Sequence, residues 1–409
     1  MENKNNGMDR RTFLKTTGIG GASLALTTGL PSKILAAESA NDSLSKEMPT
    51  RILGKTGVPV TILDLGGIID WTTNFNLLSM AFNMGVTCWD TSDDYENGKS
   101  EIGIGQYFTK YPENRKKIFL ITKVSRTTDP EGMTQLLNQS FERMKTDWVD
   151  VIFIHGLRSP ELLTPDVKAW AEQKKKEGKI KFFGYSAHVN NSQILMQTST
   201  MGWIDVLMMT YNYRTRMDDD INKGIDACAK AGIGLIAMKV MGMNFGRGGG
   251  ASQEELPVIT SLMEKGLTME QAKLKAIWQD ERIATCCVAM KNLTVLKDNV
   301  AAATDKKTLS SSDIKMLTRL AESTCNQYCH GCGRCESVMD SESRIPDVLR
   351  YMMYFNSYGE RDQARRQFRE LPEGIRNNLV SRDYSPAERI CPHRIQIGEA
   401  MKEAVRILA

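Results

Sequence analysis

The chain has little that would take it to a membrane or to a nucleic acid. No stretch approaches the roughly 18 consecutive apolar residues that a membrane-crossing helix needs, so no transmembrane span is expected. Neither sign of charge dominates: 53 Lys and Arg stand against 49 Asp and Glu, a formal net charge of +4. No basic stripe interleaved with aromatics appears, and nucleic-acid binding has no electrostatic footprint. A Gly-x-Gly-x-x-Gly loop is also missing after the first strand-like run. Leu65-Gly66-Gly67-Ile68 stands in its place, so an open doubly wound sheet would lack its usual phosphate loop.

What is present is enough for one large core and a smaller appendage, at 409 residues and 41% hydrophobic. Arg10-Arg11-Thr12-Phe13-Leu14-Lys15, a mild apolar stretch from Ile19 to Leu30 and then Leu35-Ala36-Ala37 read as a twin-arginine export signal over residues 1–39. The expected location is periplasmic or cell-envelope, reached through the twin-arginine export machinery.

Eight short strand-like runs follow: Val60–Gly66, Val86–Asp90, Ile118–Lys123, Val149–His155, Ile180–Ser186, Val206–Tyr211, Ile233–Lys239 and Ala284–Met290. Helical patterns such as Met133–Met144, Val167–Glu177 and Ile221–Ala231 separate them, with Gly85, Gly178 and Gly232 at the helix-to-strand turns. Eight alternations of strands apolar on both faces predict a parallel (β/α)8 TIM barrel. A short hairpin is expected ahead of it, in residues 40–59. Gly246–Gly250 reads as a mobile loop at the catalytic end. The barrel is assigned to 40–308 and a helical domain to 309–409, with residues 336–390 covering one barrel rim.

Three of the runs end on polar residues of a matched set: Asp90 with Tyr95 close behind, then Lys123, then His155. As parallel strands they would bring a phenol, an ammonium, a carboxylate and an imidazole to one mouth. A phenol ionises near about 10, and a neighbouring ammonium lowers that value. A carboxylate orients the ammonium, and an imidazole can hydrogen-bond a substrate carbonyl. Each residue alone has a plainer reading: Asp90-Thr91 as a helix-capping turn, Lys123 as a surface lysine, His155 as a core histidine. It is the four together, at successive strand ends, that point to carbonyl protonation.

From about Arg51 to Ala303 the chain resembles the aldo/keto reductase family. The likeness lies in Asp90-Thr-Ser-Asp-Asp-Tyr95 with Lys99-Ser-Glu101, Ile121-Thr-Lys123, Thr146–His155, Gly178–Ser186 and Ile236-Ala-Met-Lys239. It implies Tyr95 as general acid, Lys123 and Asp90 as its tuners and His155 as the carbonyl-positioning donor, with hydride from a nicotinamide cofactor to a small carbonyl or sugar-like substrate. It also implies NADP(H), with Lys291 toward a 2′-phosphate, Asn299 toward the adenine and Ser186 toward the nicotinamide amide. Two departures stand out: Met208 and Met238 occupy the places of the family's usual glutamine and stacking tyrosine. They leave open an alternative, a catalytically altered barrel acting as a binding or electron-transfer module.

Of nine cysteines, Cys88, Cys228, Cys286 and Cys287 lie in apolar segments and read as small buried hydrophobes. Cys329-x2-Cys332-x2-Cys335, with Cys391-Pro392 downstream, is the ligand grammar of a ferredoxin [4Fe–4S] cluster. The first motif lacks its own Cys-Pro at Val338–Asp340 and the second lacks its triplet, so one complete cluster remains. Residues 325–409 resemble a one-cluster version of the C-terminal ferredoxin region of some family relatives. Zinc held by the three cysteines with His330 or His393 is the rival. Cys325 is spare. A redox-active cluster would call for a redox partner.

Overall fold

The computed structural model describes residues 47–243, 253–339 and 343–409. The twin-arginine segment and the Gly246–Gly250 loop lie outside these residues. A two-stranded hairpin, β1 (Thr50–Ile52) and β2 (Pro59–Thr61), precedes a closed barrel. The eight barrel strands are β3 (Leu63–Gly66), β4 (Cys88–Asp90), β5 (Phe119–Val124), β6 (Val149–Ile154), β7 (Ile180–Ala187), β8 (Val206–Thr210), β9 (Gly234–Met238) and β10 (Thr285–Val288). They pair in parallel, each with its neighbour in sequence, and β10 closes on β3. The (β/α)8 expectation holds, and the strand positions agree to within a few residues. The exception is the first run, Val60–Gly66, which splits between hairpin and barrel.

Alternation along each strand divides the side chains. Ile121, Val151, Phe153, Val206, Met208 and Ile236 pack inside the barrel. Leu120, Val124, Ile152, Ile154 and Leu207 pack outward against the helices. The hairpin closes the N-terminal end: Leu53 and Val60 join the interior cluster, and Lys55 N donates to Gly232 O at 2.5 Å. The other end is left for chemistry.

Helix Ser311–Ser323 packs through Leu317, Leu320 and Ala321 on barrel helices, against Val258, Leu262 and Ala272. A second core gathers residues between Cys335 and Leu408. Its last helix, Ile397–Leu408, buries Ile397, Met401, Ala404 and Leu408 at helical spacing. This layer is fastened to the catalytic end of the barrel. Asn190 N donates to Gly331 O at 2.6 Å, and Asn212 Nδ2 donates to Tyr328 Oη at 2.9 Å. Gly331 has φ +68°, and a Cβ there would sit 2.4 Å from His188 O, so only glycine lets the cysteine loop lie this close.

Candidate active site

Register puts Lys123 in the inward-facing row of β5 with Ile121, opposite Phe153 of β6. Its ammonium is buried and donates to Asp90 Oδ1 at 2.6 Å, Asp90 Oδ2 at 2.7 Å and Thr91 O at 2.7 Å. All three protons are thereby committed. The loop after β4 prolongs the sheet, with Thr91 N donating to Ile121 O at 2.8 Å and Asp93 N to Lys123 O at 3.2 Å. It then turns sharply: Glu96 and Asn97 adopt left-handed φ values of 51° and 56°. That turn holds the Tyr95 ring with its centroid 4.6 Å from Lys123 Nζ. The ring meets His155 edge-on, at 5.5 Å between centroids and 82° between planes.

His155 follows β6, and its Nδ1 lies 3.1 Å from Ser92 Oγ and 2.9 Å from Ser125 Oγ. Both hydroxyls give their protons to carboxylates, Ser92 to Asp94 Oδ1 at 2.8 Å and Ser125 to Asp93 Oδ1 at 2.6 Å. Nδ1 must therefore be the donor. Nε2 then accepts in the neutral ring and donates only when the ring is doubly protonated. Asp94 Oδ1 is 3.4 Å from Nδ1. Burial would raise the Asp94 carboxyl, but the hydrogen bond and charge of His155 outweigh it and hold it well below the usual range.

The tyrosine does not behave as a neighbouring lysine alone would dictate. Burial, then the Asp90 carboxylate, push the Tyr95 phenol well above its ordinary value. Asp90 cancels the charge of Lys123 before it can act on the ring, so Tyr95 is held as a neutral proton donor. This corrects the expectation of a lowered phenol pKa.

Tyr95 and His155 line a cavity of about 780 Å³. Its far wall is built by helices Ile345–Asn356 and Arg361–Arg369 of the C-terminal layer, through Arg350, Tyr354 and Arg366. A smaller cavity of about 250 Å³ shares His188, Lys239 and Arg350 with it and reaches Cys329 and His330. Tyr354 sits between two cations, with Lys239 Nζ 4.7 Å from its ring centroid. Arg350 Nη1 donates to its hydroxyl at 3.2 Å. Burial would raise the Tyr354 phenol, but Lys239 and Arg350 outweigh it and lower it. Sequence reasoning missed Tyr354, Arg350, Arg366, Asp93 and Ser125. Asp93 had a signal in its place within the Asp90–Tyr95 motif, and Lys239 in its place at the end of a strand run.

The other expected residues lie apart from this cavity. The Ser186 hydroxyl oxygen accepts from Gly156 N at 2.9 Å. Lys291 is ion-paired with Glu360. Asn299 is buried on helix Leu293–Thr304, and its Nδ2 has no hydrogen-bond partner. Met208 and Met238 are buried in the barrel-interior cluster. Cys88, Cys228 and Cys286 are buried, and Cys287 is half-buried. Cys329, Cys332, Cys335 and Cys391 line one small pocket with His330 and His393, whose rings lie 3.7 Å apart between centroids, tilted by 33°. Burial and the neighbouring thiols push Cys335 up to about 12. Cys325 sits in the turn Cys325–Gln327, outside that pocket.

The sequence pattern of the aldo/keto reductase family matches residues 64–322. An aldo-keto reductase of Fusarium vanettenii is 26% identical over 244 residues, 49% of this chain and 66% of its own length. The Schizosaccharomyces pombe aldo-keto reductase yakc [NADP(+)] is 26% identical over 230 residues, 51% of this chain and 66% of its own. The chain thus spans slightly less than two thirds of these curated relatives. Among solved structures, an aldo-keto reductase from Klebsiella pneumoniae in complex with NADPH superposes with a TM-score of 0.55. It is 18% identical and covers 68% of this chain and 95% of its own. That likeness speaks to the fold.

Proposed function

Because the chain belongs to the aldo/keto reductase family, we propose that it is an exported, NADP(H)-dependent oxidoreductase of small carbonyl or sugar-like substrates. The observation that carries this reading is Tyr95, set over the Lys123–Asp90 pair and against His155 at the mouth of the barrel. The nicotinamide, when bound, supplies or accepts the hydride. Tyr95 gives its proton from Oη to the carbonyl oxygen, or takes it back in the alcohol direction. Lys123 Nζ, fixed by Asp90 and 4.6 Å from the ring centroid, holds the phenol in place for that transfer. His155 Nε2 positions the oxygen when the ring is doubly protonated.

Ser186, Lys291 and Asn299 are the proposed cofactor contacts. The unpartnered Asn299 amide is a buried donor suited to an adenine edge. Lys291 would exchange Glu360 for the 2′-phosphate. The names of two relatives, one NADP(+)-dependent and one bound to NADPH, agree with that choice.

We assign one [4Fe–4S] cluster to Cys329, Cys332, Cys335 and Cys391. A tetrahedral zinc ion with Zn–S of about 2.3 Å needs sulfurs roughly 3.8 Å apart. The double Cys-x2-Cys repeat and the downstream Cys391-Pro392 are ferredoxin features rather than zinc-site ones. All four cysteines line one pocket, as ligands of a single cluster would. Residues 1–39 as a twin-arginine signal, 40–308 as the barrel and 309–409 as a helical iron–sulfur domain complete the proposal. A second reading, a barrel retained for binding or electron transfer, draws on Met208 and Met238 where nicotinamide contacts would stand.

Metal analysis of anaerobically purified protein and titration with NADPH, followed by a carbonyl panel, decide between them. The reductase reading expects brown protein that binds NADPH and oxidises it with a carbonyl. Bound iron without NADPH binding would leave the module.

A further inference from the structure

The charges around the large cavity do not balance. Arg158, Arg344 and Arg350 share the single carboxylate Asp347, at 3.0 Å from Arg344 and 2.8 Å from Arg350. Arg158 also holds Glu336 at 2.7 Å. Two further cations of the cavity lining, Lys239 and Arg366, have no carboxylate within ion-pair distance among the described residues. Arg350 keeps its buried Nε without a partner. Lys239 itself is held at φ +57°, and Arg126 and Arg344, which line the same cavity, at +67° and +49°. Left-handed backbone at non-glycine residues costs free energy and persists where the surroundings impose it. Three of the eight such positions among the described residues carry cations that line this cavity.

We propose that Lys239, Arg350 and Arg366, with the Tyr354 hydroxyl between the first two, form an anion-binding subsite opposite Tyr95, so that the substrate carbonyl belongs to a molecule bearing a carboxylate or a phosphate. This rests on the reductase reading above and adds the substrate class to it. The subsite belongs to the C-terminal layer except for Lys239. The appended helices therefore select the substrate while the barrel performs the proton transfer. A planar guanidinium reads two oxygens at once, and the ammonium acts as a point charge.

Matched pairs test it on the full-length holoprotein: butanal against succinic semialdehyde, and D-glyceraldehyde against its 3-phosphate, each with NADPH. The charged member of at least one pair is expected to show a kcat/KM about tenfold or more above its neutral partner. The favoured pair tells carboxylate from phosphate. Added salt should shrink the preference, and Arg366→Gln should reduce it about tenfold with an unchanged NADPH dissociation constant. Equal or inverted kcat/KM in both pairs overturns the subsite and leaves the reductase standing. Weakened NADPH binding in Arg366→Gln at an unchanged preference would hand the cations to the cofactor and also overturn it. No turnover of any of the four would sink the reductase reading first.

Discussion

The floor and the wall of the large cavity use cations in opposite ways. On the barrel floor, Lys123 spends every proton on Asp90 and Thr91 and is buried. Across the cavity, Lys239 of the barrel rim lies over the Tyr354 ring and Arg366 stands on the wall, neither with a carboxylate within ion-pair distance among the described residues. The two phenols follow suit, Tyr95 pushed up by burial and Asp90, Tyr354 drawn down by Lys239 and Arg350 against its burial. A neutralised cation fixes geometry, whereas an unneutralised one awaits a ligand. Two environments that part the pKa values of like groups also part their roles.

The sharpest break of this comparison is Tyr95→Phe, which removes the proton of the assigned acid. Turnover should fall by about 10²–10⁴, with NADPH affinity by fluorescence titration little changed. Turnover within tenfold of the original would remove Tyr95 from the role of acid. Next is Lys123→Met, which strands the Asp90 carboxylate in the barrel. A loss of about 3–5 kcal/mol in urea unfolding is expected, and Asp90→Asn added to it should restore much of that. If the double variant is no better than the single one, the pair is not what locks the floor. Behind the wall, Cys391→Ser should lower bound iron and visible absorbance. Iron content equal to that of the original protein would exclude Cys391 as a ligand.

Floor and wall also differed in how far they could be read from the sequence. Period-two alternation places Lys123 inward with Ile121, and parallel register carries Asp90 and His155 to the same end. The local pattern of a strand therefore contains the floor. Tyr354 and Arg350 lie on a helix whose pattern shows an apolar face and a charged one. Nothing local says that this helix is laid across a barrel mouth, so Arg350 reads as solvated. The Tyr95 environment was half legible. The residues were visible, but the bidentate grip of Asp90 on Lys123, which reverses the effect on the phenol, is a matter of tenths of an ångström. Val60–Gly66 read as one strand because Ile62, where the chain passes from hairpin to barrel, is as apolar as its neighbours.

The smallest effect expected concerns Asp64, beneath the floor. It lies on β3 in register with Cys88 and Cys287, fully buried, with neither carboxyl oxygen hydrogen-bonded to a polar group. One of its oxygens is within 4.8 Å of ligand atoms on Asp90 and Cys287. Burial, then the Asp90 charge, push its pKa well above the ordinary value, with Lys123 opposing. A folded-state pKa above the unfolded one means that its contribution to stability is full below about 3.9 and is lost as pH rises through the folded value. Asp64→Asn, which cannot ionise, should therefore match the original protein near pH 4. At neutral pH it should exceed it by about 1–2 kcal/mol, the size of one unsatisfied buried group. Urea unfolding at both pH values reads the difference. A gain that did not grow with pH would mean that Asp64 is ionised throughout, so that the floor would hold two charged carboxylates against one lysine.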